Sequence, residues 1–222
     1  MDGMPGKDSA GEAPTTEGIV LRRAHTYDFF TSLIGMGARG GTSRRIVEAA
    51  GIKMGDRVLD VGCGPGSLAL AAKLAAGPTG KVHGIDASPE MIETARQKAA
   101  AAGQDVEFQT GLMEQLDFAD GSFDVVLSRL AIHHLPENLQ SRAFAEIFRV
   151  LKAGGLALIA DMPTASHSLS GHLALALAAV GVRGNQPSRL ISLFEETGFV
   201  DVELMGTGSL ILMSVRGTKP PA

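Results

Sequence analysis

The stretch that most constrains this chain is "RVLDVGCGPGSLALAAKLAA", residues 57 to 76. It passes from apolar, strand-forming residues through three alternating glycines into a helix-forming run of alanine and leucine. A buried strand that turns this quickly into a helix is the first half of a strand–helix–strand unit, and the next strand then lies parallel to the first. The pattern recurs downstream. "KVHGID" (81–86) is a second strand, and "SPEMIETARQKAAAAG" offers Ser88 as N-cap, Pro89 at the first helical position, Glu90 in the first turn and Gly103 as a stop. "VEFQT" (106–110) and "FDVVLSR" (123–129) are third and fourth strands, the latter introduced by the turn "ADGS". "NLQSRAFAEIFRVLKAGG" is an amphipathic helix closed by glycines, feeding a fifth strand, "LALIAD" (156–161). A mixed segment and a helix at 187–197 follow, and then "VDVELMG" and "SLILMSVR" form an edge hairpin about a Thr-Gly turn. The expected fold class is α/β: an open sheet of about seven strands, mostly parallel with an antiparallel C-terminal hairpin strand, and helices on both faces.

Charge and composition narrow what such a domain can do. The 222 residues carry a formal net charge of −4, so no global basic field draws nucleic acid or an anionic membrane. Cys63 is the single cysteine, which excludes an internal disulfide framework and a cysteine-rich metal site and fits a cytoplasmic location. Residues 1–20, rich in Gly, Pro, Ser and Thr, read as a disordered leader without the features of a secretory signal. Residues 21–52 read as an N-terminal helical extension or lid with a glycine-rich break at "GMGARGG", and 53–217 as the ligand-binding domain. The apolar run "HLALALAAVGV" (172–182) falls well short of the ~20 residues a membrane helix needs, so no integral membrane association is expected. Nothing in the sequence fixes an oligomeric state.

Ligands of open α/β sheets bind at the carboxyl ends of the strands, where Gly62, Gly64 and Gly66 sit. Their G-x-G-x-G spacing differs from the dinucleotide G-x-G-x-x-G, and no P-loop lysine follows. Asp60, two residues earlier in an apolar strand, is costly to bury unless something polar or cationic meets it. It would repel a pyrophosphate and attract an ammonium or sulfonium. Asp86 ends the second strand, the position from which a carboxylate accepts hydrogen bonds from ribose hydroxyls.

On "VLDVGCGPGSLAL", "VHGIDASPEMIETAR", "LDFADGSFDVVLSRLAIHHL", "IFRVLKAGGLALIAD" and "LFEETGFVDVEL", taken in order, the chain resembles the class I S-adenosylmethionine-dependent methyltransferases, in the subgroup typified by ubiquinone and menaquinone C-methylases. The resemblance implies a Rossmann-like fold and S-adenosylmethionine as cofactor, with S-adenosylhomocysteine as product. It also implies that Asp60, Gly62 and Gly64 line the methionyl part and that Asp86 binds the ribose. Ala87 and Met91 would pack on the adenine, and Arg129 and Leu130 would face the sulfonium. The family usually has an acid after Gly111, where this chain has Leu112. The adenine amino group would then be held by the backbone of Met113, or Glu114 would substitute.

On the acceptor side, His133 and His134 could take a proton from a hydroxyl, phenol or carbon acid as the methyl moves. The alternative is that one of them caps the next helix or packs under the substrate loop. Tyr27, in "AHTYDFF", matches a Tyr-Asp pair that often precedes the core in this subgroup; it could line the site or belong to an apolar helix face. Cys63 is expected to be a small buried residue, not a nucleophile. His167 and His172 read as surface or lid residues, and Asp161 with these two histidines matches no common metal-ligand spacing, so no metal is expected. The apolar extension and the 162–186 segment favour a small-molecule acceptor: apolar or aromatic, quinone-, phenol- or lipid-like. Two other classes remain open at this stage: a catalytically inactive methyltransferase-like binding protein, and a nucleotide-cofactor oxidoreductase.

Overall fold

The computed structural model describes Gly18 and residues 41–162, 185–206 and 212–222. Helix α1 (Gly41–Ala50) is followed by β1 (Arg57–Val61), α2 (Ser67–Ala76), β2 (Lys81–Asp86), α3 (Pro89–Ala102), β3 (Glu107–Thr110) and β4 (Phe123–Arg129). A 3-10 turn at Ile132–His134 leads into α4 (Glu137–Val150), then β5 (Leu151–Asp161), α5 (Pro187–Thr197), β6 (Val200–Gly206) and β7 (Met213–Thr218). The seven strands lie in the order β3-β2-β1-β4-β5-β7-β6. β1 to β5 run parallel, and β7 is antiparallel to both β5 and β6. The expected Rossmann-like sheet with an antiparallel C-terminal pair is therefore present.

Central strands are apolar on both sides because both faces are covered. In β1, Val58, Leu59 and Val61 are fully buried. One face packs on α1, α2 and α3 through Ile46, Leu68, Ile92 and Ala95. The other packs on α4 and α5 through Phe144, Ile147, Leu190 and Phe194. There Phe194 meets Phe144 and Phe199 edge-on at centroid distances of 5.1 and 4.9 Å, the arrangement that suits the ring quadrupoles.

Local signals set the element ends. Ser88 Oγ accepts from the Met91 amide (3.3 Å), Pro89 opens α3, and Gly103 closes it in the left-handed region. The start of β5 differs from expectation. α4 ends at Val150 and β5 begins at Leu151, five residues before the expected Leu156, so the glycine pair lies inside the strand. Register slips there, between the partners of Phe123 and Val125. A Cβ on Gly155 would come 2.9 Å from the Lys152 carbonyl oxygen and 3.0 Å from that of Asp124. These glycines form a bulge, not a helix stop. Smaller shifts affect β1, which ends at Val61, β3, which starts at Glu107, and β7, which starts at Met213.

The leader apart from Gly18, Tyr27, most of the 21–52 extension, His167, His172, the apolar run at 172–182 and the turn at 207–211 lie outside the described residues. The described part of the extension, α1, buries Ile46, Val47 and Ala50 in the core. No helix among the described residues is long and apolar enough to cross a membrane.

The parallel strands all present their carboxyl ends at one edge. From β1 the chain steps to β2 and β3 on one side, while β4 and β5 lie on the other. The crevice at this reversal is where the glycine turn emerges.

Candidate active site

Gly62, Gly64 and Gly66 all adopt left-handed φ values of 68°, 51° and 80°. The turn is tied down by Cys63 N–H to the Ile85 carbonyl (2.8 Å) and Gly66 N–H to the Cys63 carbonyl (3.0 Å). A Cβ on Gly62 would lie 2.3 Å from Ala131 Cβ, so this glycine interlocks the turn after β1 with the turn after β4. On Gly66 it would lie 2.9 Å from both Ala95 Cβ and the Phe108 ring, where α3 and β3 close on the turn. Both glycines thus serve the protein's own packing. Cys63 between them is buried, and burial with Asp60 and Asp86 nearby pushes its thiol well above the ordinary range. It is a packing residue, not a thiolate nucleophile at neutral pH.

Two carboxylates flank the turn. Asp86 Oδ2 accepts from the Gly64 amide (2.8 Å) and Oδ1 from the Ser88 amide (2.9 Å). Burial raises its pKa against these two hydrogen bonds. Each oxygen keeps a second lone pair, which leaves acceptor capacity for a diol. Ala87 lies in the bend that follows, and Met91 is buried in the first turn of α3.

Asp60 is fully buried, and neither carboxylate oxygen makes a hydrogen bond of ordinary geometry. Burial lifts its pKa to about 7; the Arg129 charge and the Ala69 amide at the start of α2 oppose that rise, and Asp86 adds to it. A buried carboxylate so incompletely compensated is costly unless a further donor or cation meets it.

Arg129 donates through Nη1 to Ser43 Oγ on α1 (2.8 Å). Its guanidinium therefore lies on the α1–α3 face and partly offsets Asp60. Leu130 is a buried residue at φ 58°, uncommon outside glycine, with its amide bonded to the Ala160 carbonyl (2.8 Å). It turns the chain from β4 into the 3-10 segment that carries both histidines.

Beyond β3, a cavity of about 220 Å³ is lined by Ile85, Thr110, Gly111, Leu112, Leu116 and Phe118 among others. Leu112 and Met113 are half-buried, while Glu114 is buried and already engaged in interactions. Helix α4 fastens this loop. Glu146 accepts from the Leu116 amide (2.7 Å), and Arg149 donates to the carbonyls of Leu116 (2.9 Å) and Phe118 (2.7 Å).

The histidines sit beyond β4 with ring centroids 4.1 Å apart. His133 Nδ1 meets Asp161 Oδ1, and the His133 amide donates to Asp161 Oδ2 (3.1 Å). The Met162 amide (2.8 Å) and Asn185 Nδ2 (2.9 Å) complete four donors to that one carboxylate. His134 is pulled down to about 4, by burial first and by the adjacent His133 second. Sequence reasoning set Asp161 aside and missed Asn185. The available signal was that β1, β2 and β5 each carry an aspartate near their carboxyl ends. Among the described residues no group of three or more His, Cys, Asp or Glu could hold a metal ion.

Comparison with known proteins finds methyltransferases. Residues 58–155 match a family described as a methyltransferase domain. A demethylmenaquinone methyltransferase from Staphylococcus aureus is 35% identical over 130 residues, covering 59% of this chain and 53% of that protein. The chain thus spans about half the length of the curated relatives it matches. Among solved structures, a SAM-dependent methyltransferase from Aquifex aeolicus superposes with a TM-score of 0.68 at 21% identity, covering 88% of this chain and 96% of the other. The phosphoethanolamine N-methyltransferase 2 of Haemonchus contortus, in complex with phosphomonomethylethanolamine and S-adenosylhomocysteine, gives 0.72 at 21% identity over 88% of this chain and 57% of its own. At that identity these two establish likeness of fold.

Proposed function

We propose that the chain is a class I S-adenosylmethionine-dependent methyltransferase that transfers a methyl group from S-adenosylmethionine to a small apolar or aromatic acceptor, a reading supported by the match of residues 58–155 to a methyltransferase domain and by the methyltransferase relative. The observation that carries this is Asp60: a fully buried carboxylate with no hydrogen-bond partner, beside a glycine turn at the strand reversal. The proposed ligand offers positive charge beyond that of Arg129, which offsets Asp60 only in part. Asp86, with lone pairs left after its two amide bonds, would take the ribose hydroxyls. Ala87 and Met91, the half-buried Leu112 and Met113, and the cavity beyond β3 would receive the adenine. Glu114, already engaged, leaves the backbone of Met113 as the candidate adenine partner. Gly62 and Gly64 keep the backbone low where the methionyl part would lie, and Leu130 gives the crevice an apolar wall.

Bound S-adenosylmethionine supplies an activated methyl group on a sulfonium, so the protein's task is alignment and exclusion of water. His133, His134 and Tyr27 are proposed to stand on the acceptor side. The demethylmenaquinone methyltransferase relative supports an apolar, quinone-like acceptor.

The test is incubation of the purified protein with S-adenosylmethionine and a panel of hydroquinones, phenols, amines and lipids, reading release of S-adenosylhomocysteine. Acceptor-dependent release is expected. Tight binding of NADH with no affinity for either sulfur compound would instead mark a nucleotide-cofactor oxidoreductase.

A further inference from the structure

The buried cluster at the end of β5 includes none of the residues proposed above to hold the donor, and its carboxylate is met by four donors from this chain. We propose that Asp161 and Asn185 are positioning residues that hold His133 in the tautomer whose Nε2 takes a proton from the methyl acceptor, so that the acceptor is a hydroxyl or an acidic carbon and not an amine. This rests on the methyl-transfer function proposed above.

The tautomer follows from counting donors. Asp161 receives the amides of His133 and Met162 and the side-chain amide of Asn185, all obligate donors. A carboxylate so surrounded accepts, so the ring nitrogen facing it, Nδ1, carries hydrogen. The lone pair is then on Nε2, and among the described residues His133 makes no further hydrogen bond. Asn185 cannot turn its amide round without facing its oxygen to the carboxylate. Gln140 guards the other side: its Nε2 donates to the Leu135 carbonyl (3.0 Å) and lies 3.5 Å from Asn185 Oδ1. All four side chains belong to buried residues. A buried polar network of this kind gives little net stability over an apolar replacement, so geometry is what it supplies. His134, lowered to about 4, stays neutral near pH 7 and neither competes for the proton nor repels a charge on its neighbour.

The proton balance is closed. A proton leaves the acceptor's O–H or acidic C–H for His133 Nε2. The electron pair so released bonds the methyl carbon, and the pair of the broken carbon–sulfur bond stays on sulfur as a neutral thioether. One positive charge has moved from the donor to an imidazolium held against Asp161, which stabilises it. An amine attacks with its own lone pair and sheds its proton afterwards, so it has no need of this base.

Two measurements on the full chain decide the proposal. Nitrogen-15 NMR of the histidine rings should show His133 protonated on Nδ1 in the wild type and shifted away from that form in Asp161→Asn. Turnover with 1,4-naphthohydroquinone and with aniline as probe acceptors should give methylation of the first and not the second. Asp161→Asn should lower kcat by about 100-fold or more, with the KM for S-adenosylmethionine within about threefold. Should Asp161→Asn not fold, Asn185→Ala takes its place, with an expected kcat loss of about tenfold. A wild-type His133 protonated on Nε2, an unchanged kcat in the folded variant, methylation of aniline alone, or methylation of neither probe by a protein that binds the donor would each overturn it. Failure of the underlying methyl-transfer function has a different signature, no binding of S-adenosylmethionine to the wild type.

Discussion

Two buried aspartates stand at the carboxyl edge of the same sheet, and their surroundings are opposite. Asp161, at the end of β5, is met by four donors from this chain. Asp60, near the end of β1, is met by none with hydrogen-bond geometry and is pushed up to about 7. A buried carboxylate costs several kcal/mol when left uncompensated. The fold meets that cost at Asp161 internally and leaves it standing at Asp60. Of the two proposed halves of the crevice, the acceptor half is therefore complete without ligand, whereas the donor half is not.

Removing Asp161 attacks the complete half. Asp161→Ala strands the His133 ring, two amides and Asn185 in the interior, and should lower stability by ~3–5 kcal/mol. For a domain of this size that is a fall in Tm of about 10 °C by calorimetry. pH probes the incomplete half. Between the ordinary carboxylate value of 3.8 and about 7, folded Asp60 keeps a proton that the unfolded chain has lost. Its contribution to stability is therefore present at low pH and is lost as pH rises through that window, by up to ~1.4 kcal/mol per unit. Donor affinity runs the other way, rising toward pH 7 and levelling above it, because only the carboxylate attracts a cation. Unfolding of wild type against Asp60→Asn at pH 5, 6, 7 and 8 isolates this effect from the other titrating groups.

Ser43→Ala is a milder probe of the same half. It removes the hydroxyl that Arg129 donates to, at a cost of about 1 kcal/mol or less. Any change in donor affinity would show that α1 and Asp60 are linked through Arg129. The smallest expected effect is the most telling. Asp60→Asn should leave the Tm of the ligand-free protein at pH 8 unchanged or higher, because it replaces an unpaired charge with a neutral side chain of the same shape.

Much of the architecture was legible because its signals are local. Ser88, Pro89 and Gly103 bound α3 as their chemistry dictates, and the apolar runs of β1, β2 and β4 fall where the pattern puts them. The start of β5 was not legible. A glycine pair after an amphipathic helix reads as a stop, and only contact with the Asp124 and Lys152 carbonyls makes it a bulge. In the site, Asp60 and Asp86 stand out as acids at the ends of apolar strands beside glycines. Asp161 has the same strand-end position, but its partners His133 and Asn185 lie 28 and 24 residues away in the chain. No spacing rule joins them. The packing of Gly62 against Ala131 is hidden for the same reason, since it depends on two turns from different strands.

The contrast between the two aspartates is tested most directly by calorimetric titration of wild type and Asp60→Asn with S-adenosylmethionine at pH 8. If the donor's cation is what Asp60 lacks, the wild type binds and the variant binds about 100-fold more weakly, the loss of one charge-assisted contact of ~2.7 kcal/mol. Equal affinities would mean that the buried charge is neutralised by this chain alone, and the account of the donor site would be wrong.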